Sequence, residues 1–179
     1  MASSFIEHKN YGFWASDGFV EAMQICLIDE IDVTPFDSKS WIIQYKDELA
    51  LQSIPLVYGG MSMSLDNFLI DDERKKIVIH LIDKIIQKIN SEETYLNNEN
   101  LRRMRKNSML ILYNQGNTFE DESEIDEDVK NSRWRGNDSY GNQFKDRCIN
   151  AFQLLKKLIN EELKTDAGSP ESYWDYKNI

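Results

Sequence analysis

Apolar residues recur at three- and four-residue steps along most of the chain. Phe13, Trp14, Phe19, Val20, Met23, Cys26, Leu27 and Ile31 form the first such series. That spacing gathers side chains on one side of a 3.6-residue helix. It predicts a helix from about Ser16 to Glu30, with Ser16 or Asp17 as N-cap and Pro35 closing the segment. Residues 1–11 read as a lead-in. Trp41, Ile42, Tyr45, Leu49 and Leu51 predict the buried face of a second helix, opening at Asp37 or Ser38. It ends before Pro55, because proline pushes the preceding residue out of the helical region. Leu56 to Ser64 is apolar, holds Gly59-Gly60 and has no helical period, so it reads as a loop packed against the helices. Ser64 then caps a short turn, Leu65 to Leu69.

The clearest helix follows, capped by Asp71 or Asp72. Its apolar side is Ile77, Val78, Leu81, Ile82, Ile85, Ile86 and Ile89, and Asp83, Lys84, Gln87 and Lys88 supply the wet face. A further helix runs from Leu101 to about Tyr113 and stops at Asn114-Gln115-Gly116-Asn117. Residues 117–140 are polar and acidic, then rich in Gly, Asn and Ser, and predict an extended loop or partial disorder. From Asn142 the period returns through Phe144, Cys148, Ile149, Phe152, Leu155, Leu158 and Ile159, ending near Leu163-Lys164. Ala167-Gly168-Ser169-Pro170 breaks the pattern, and the aromatic tail Tyr173-Trp174-Asp175-Tyr176 is expected to dock. The expected fold is all-α: one domain over residues 1–179, a bundle of about five amphipathic helices carrying a long acidic loop at 117–140.

Charge narrows the function classes. The 179 residues carry a formal net charge of −10, which disfavours nucleic-acid or anionic-membrane binding and suits a basic partner. Only two cysteines occur, Cys26 and Cys148, each among apolar residues, so they read as small buried hydrophobes rather than a disulfide framework. They and the two histidines, His8 and His80, lie too far apart for a zinc pattern. No signal-peptide pattern or apolar run of spanning length is present, so a cytoplasmic protein is expected. Gly59-Gly60 lacks the lysine and threonine of a phosphate loop, and no cofactor is expected.

The charge is concentrated. Glu120, Asp121, Glu122, Glu124, Asp126, Glu127 and Asp128 place seven carboxylates in nine residues; without them the chain would carry −3. Such a segment steers a basic partner and mimics a phosphate backbone. The same composition also describes a solvated, self-repelling loop. It is not a calcium loop, since the glycine and terminal glutamate of that register are missing. Trp134, between Arg133 and Arg135, reads either as a binding anchor beside the acidic run or as an aromatic folded back over the core. The basic cluster Arg102, Arg103, Arg105 and Lys106 reads as phosphate contacts or as an internal electrostatic partner for the acidic segment.

Two family resemblances follow from short motifs. Arg74 and His80, five residues between them, resemble the Arg-x(4–6)-His signature of the HEPN family, all-α proteins that include dimeric ribonucleases. That likeness implies a histidine acting on the RNA backbone beside an arginine. Lys75 stands where that family usually has a small polar residue. The opening Tyr11-Gly12-Phe13-Trp14-Ala15-Ser16-Asp17-Gly18-Phe19, with the helix after it, resembles the start of some small bacterial immunity proteins of polymorphic toxin systems, over about the first third of the chain. That resemblance implies a non-enzymatic inhibitor that neutralises a cognate toxin domain, expected to be basic. The expected contacts are the seven carboxylates above and Trp134. A helical ribonuclease using Arg74 and His80 is the alternative, and a generic protein-interaction module is the third reading.

Overall fold

The structure, a computed structural model, describes residues 2–36, 40–54, 59–116, 119–131 and 142–172. The chain is mostly helical, with a small two-stranded sheet. That sheet corrects the all-α expectation. Strands β1 (Ser3–His8) and β2 (Tyr11–Ser16) pair antiparallel, with Ile6 opposite Phe13 and His8 opposite Tyr11. Lys9 and Asn10 form the two-residue turn, both at positive φ (52° and 68°). Two left-handed residues match the right-handed twist of a hairpin, and asparagine tolerates that region. The inner face carries Ser4, Ile6, His8, Phe13 and Ala15, all buried. Its two polar members find partners. Ser4 donates to Asp17 (2.7 Å) and accepts from the Met61 amide, and His8 Nδ1 meets Asp66 at 2.6 Å. On the outer face Phe5 and Trp14 pack with ring centroids 5.3 Å apart.

Seven helices follow among the described residues: α1 (Asp17–Val33), α2 (Ser40–Ser53), α3 (Leu65–Phe68), α4 (Asp72–Ser91), α5 (Asn98–Asn114), α6 (Glu122–Asn131) and α7 (Asn142–Ile159). Helix α1 is the axis. It packs against α2, α4, α5, α7 and both strands, and Phe19 through Ile31 are buried without interruption. A helix apolar on one stripe needs one neighbour, whereas α1 is enclosed on all sides. Its buried polar groups are therefore paired. Glu21 meets Arg105, Gln24 donates to the Ser62 carbonyl (2.8 Å), Asp29 meets Arg103 (2.8 Å) and Glu30 meets Lys88 (2.7 Å).

The outer helices are amphipathic. Helix α4 buries Val78, Leu81, Ile82, Ile85 and Ile89 and is capped by Asp71, whose side chain accepts from the Arg74 amide. Helix α5 is capped by Asn97 and buries Leu101, Met104 and Leu112. Helix α7 buries Phe144, Cys148, Phe152 and Leu155. Ser64 sits in the left-handed region and its side chain caps nothing, so α3 lacks the expected hydroxyl cap. Leu51 is 42% exposed and does not belong to the buried face of α2.

Helix α7 stops five residues before the apolar pattern does. Glu161 adopts φ 61°, and the Glu162 amide reaches back to the Lys157 carbonyl while that of Glu161 bonds to Leu158. This is a Schellman ending built on a glutamate instead of a glycine. The Glu161 carboxylate joins Lys75 (2.7 Å) and Lys9, tying the hairpin turn to α4 and the end of α7. The hydrogen bond from Lys75, then that from Lys9, holds the carboxyl down to about 2. A depressed carboxyl stabilises the fold above its ordinary range near 4.5 and loses that contribution as pH falls toward 2. Thermal melts are expected to show wild type above Glu161→Gln at neutral pH, with the gap closing on acidification between those limits.

Candidate functional site

The acidic segment is a helix, contrary to the loop expected at 117–140. Residues 119–131 contain α6; residues 117–118 and 132–140, Trp134 among them, lie outside the described residues, as does the tail 173–179. Several local features let this charged stretch fold. Asp121 accepts from the Ser123 amide (2.7 Å), the Ser123 hydroxyl and the Glu124 amide, which occupies donors that α6 would leave open. Those Ser123 hydrogen bonds hold the Asp121 carboxyl below its usual range. Glu122 and Glu124 lie in the first turn and Lys130 in the last, the favourable arrangement for the helix dipole. Ile125 is completely buried and pins α6 to α5. Burying such a side chain contributes about 1.5–3 kcal/mol.

Counter-charge completes the docking. Lys106 meets Asp126 at 2.5 Å and Arg105 meets Asp128 at 3.0 Å. Two members of the basic cluster thus serve as internal partners of the acidic segment, a third, Arg103, pairs with Asp29, and Arg102 is exposed. Arg105 is a clamp, because its second guanidinium nitrogen meets Glu21 in the core. Burial pushes the Glu21 carboxyl up to about 7 against the pull of Arg105.

All seven carboxylates remain exposed. Their roles divide. Asp121 is spent on the cap, Asp126 and Asp128 on ion pairs, and Glu124 accepts from the Glu120 amide (3.0 Å). Glu122 and Glu127 have no hydrogen bond or ion pair among the described residues. At about 100° per residue, Glu127 points about 160° away from Ile125 and Glu124 lies about 100° to its side. The outcome is a solvent-exposed set of negative charges on a helix docked to α5 through Ile125, Lys106 and Arg105.

Arg74 and His80 are not brought together within this chain. Six positions apart on a helix they diverge by about 120° and about 9 Å along the axis. Arg74 bonds the Phe68 carbonyl (3.2 Å), approaches Asp71 (3.4 Å) and lies 5.0 Å over the Trp41 ring. His80 is exposed on α4. The thiols are buried, and burial pushes Cys26 up to about 12 and Cys148 well above its ordinary value, the opposite of an activated nucleophile. No group of three or more metal-ligating side chains occurs among the described residues, and no described helix is long and apolar enough to cross a membrane.

A cleft of about 640 Å³ lies where Asp29 of α1 meets Lys88, Tyr95, Asn97, Asn100 and Arg103. Several of its polar groups pair with one another: Arg103 bridges Asp29 and Asn100, and Asn100 donates to the Tyr95 carbonyl. That network ties α1 to α5 and to the turn before it, and Lys88 of α4 joins α1 through Glu30. Sequence reasoning missed Ile125 as the anchor of the acidic face, whereas the reading of Arg105 and Lys106 as internal partners of the acidic segment agrees with their ion pairs. The signal for Ile125 was its isolation in the acidic run, with Val129 one turn on.

No family model, curated protein or solved structure matches this chain.

Proposed function

We propose that the chain is a non-enzymatic inhibitor that binds a basic partner protein through the exposed carboxylates of α6, as an immunity protein neutralises its toxin. The observation that supports this is the anchoring of α6 by Ile125, Arg105 and Lys106, which presents Glu122, Glu124 and Glu127 to solvent. A helix fixed before binding loses little entropy on association, and its field accelerates encounter with positive surfaces. The toxin class of the partner rests on the likeness of Tyr11 to Phe19 to immunity proteins. The mechanism is occlusion: an acidic face covers the basic site that would otherwise hold an anionic substrate.

The test is co-purification with the product of the gene immediately upstream. Wild type is expected to hold it in a stoichiometric complex that weakens as salt rises. Glu122→Gln, Glu124→Gln and Glu127→Gln together are expected to lose at least about tenfold in affinity, since each removes an exposed charge, and the amide oxygen that Glu124→Gln introduces still accepts from the Glu120 amide. Equal affinity of this variant at low salt removes α6 from the mechanism.

A further inference from the structure

A second surface, on α2, exposes apolar side chains. Helix α2 turns Ile42, Tyr45 and Leu49 into the core, so its outer ridge should be polar. It instead reads Ile43, Asp47, Leu51, with Ile43 49% and Leu51 42% exposed. Leu51 opens into a groove of about 400 Å³ whose apolar walls are Leu51, Phe68 and Leu112. Ile70, two residues after Phe68, is 66% exposed. Apolar side chains grouped around a concavity mark an interaction site.

The rim says what kind of partner fits. Asp47 and Glu48 line the groove, and no cation does. Glu48 accepts from Gln52 and Ser64, both neutral, and Asp47 has no hydrogen bond or ion pair among the described residues. Gln115 closes the far end, and Glu120 follows it by five positions. Helix α6 runs back along α5, as the Lys106–Asp126 and Arg105–Asp128 pairs show, so the acidic start of α6 lies at the α5 end that borders the groove.

We propose that this groove seats the apolar side of a basic amphipathic helix of the partner protein, while Asp47, Glu48 and the carboxylates at the start of α6 meet its lysines and arginines. This deepens the reading of α6 as a partner surface and rests on it. The physical division is one of labour: charge sets the encounter rate, and apolar anchors in a desolvated slot set the lifetime of the complex.

The experiment uses the full chain and three fluorescein-labelled helical peptides. One has a leucine stripe with lysines opposite. The second has the same stripe with glutamates. The third has the lysines with serine in place of leucine. Fluorescence anisotropy is expected to rank the leucine–lysine peptide first, ahead of each of the others by about tenfold or more. Leu51→Glu is expected to weaken that peptide by about tenfold and Asp47→Lys by several-fold. Both positions are solvent-accessible ones on α2, and circular dichroism confirms that the helix content is kept. The proposal is overturned if Leu51→Glu binds like wild type, if the serine–lysine peptide binds as well as the leucine–lysine one, or if no peptide binds. If the groove variants are silent while Glu122→Gln, Glu124→Gln and Glu127→Gln together weaken binding, the groove fails and the acidic face stands. If only the groove variants weaken it, the groove stands and α6 is removed from the partner surface.

Discussion

Gly12→Ala is expected to destabilise the chain by about 3 kcal/mol or more, because the new methyl group has no room and its neighbours cannot yield. A Cβ at this position would fall on the backbone carbonyl of Ile6 and lie 2.9 Å from the Phe5 ring edge. A flexible side chain could swing aside; a strand carbonyl is held by the hairpin itself. The other edge of Gly12 is equally committed. Its amide donates to the Thr165 carbonyl (2.8 Å) and its carbonyl accepts from the Thr165 hydroxyl (2.6 Å). The substitution therefore forces apart either β1 and β2 or β2 and the segment after α7. For a domain of this size about 3 kcal/mol lowers the melting temperature by roughly 6–12 °C. Urea unfolding of the alanine variant checks this, and a loss below about 1 kcal/mol would mean that β1 can move away at little cost.

Arg105→Ala is the second large effect. Arg105 joins buried Glu21 to Asp128, so its removal strands one carboxylate in the core and releases a tether of α6. Breaking a buried pair by deleting one member costs about 3–5 kcal/mol. Here the cost depends on pH. Burial raises the Glu21 carboxyl to about 7, so its contribution to stability is complete below its ordinary value of 4.5 and is lost as pH rises through 7. The arginine matters most where Glu21 is ionised. The deficit of Arg105→Ala is therefore expected to be larger at pH 8 than at pH 5. Glu21→Gln is expected to gain on wild type over the same rise. Denaturant titrations of the three proteins at both pH values check the sign; a pH-independent deficit would show that lost packing of the arginine stem dominates.

The helices were readable because their burial is one-sided. In α4 the isoleucines and leucines fall on one face, and a capping aspartate precedes them. Helix α1 was located as a helix with one apolar side, yet Glu21, Asp29 and Glu30 are buried as well, because partners on α4 and α5 pair with them. Those partners are distant in sequence, and pattern alone cannot pair them. The hairpin was hidden for a related reason. Its inner face in β1 reads Ser4, Ile6, His8, so two of three buried positions are polar and the alternation disappears. Lys9-Asn10 is also a less conspicuous turn than Asn-Gly. The end of α7 was overrun because Glu161 occupies the left-handed position where a glycine would have marked the stop.

The acidic site was visible as composition and not as shape. Seven carboxylates in nine residues announce a field, but a helix there needs Asp121 as cap, Ile125 as anchor and Arg105 with Lys106 as counter-charge. Each of those contributions comes from a neighbour or a second element. The structure also reassigns which carboxylates are available. Neutralising Asp121 or Asp126 would disturb the cap or an ion pair, whereas Glu122 and Glu127 have neither and Glu124 accepts only from the Glu120 amide. The groove of Leu51, Phe68 and Leu112 draws on three helices and has no sequence signature.

The central claim is that the exposed face of α6 captures a basic partner electrostatically. Stopped-flow association with the upstream gene product, followed from about 20 mM to about 300 mM salt, tests it most directly, since this range shortens the reach of exposed charges several-fold. The expected result is a wild-type rate that falls by about tenfold or more across the series, with Glu122→Gln, Glu124→Gln and Glu127→Gln together starting lower and falling less. Identical rates and identical salt slopes for the two proteins would contradict it.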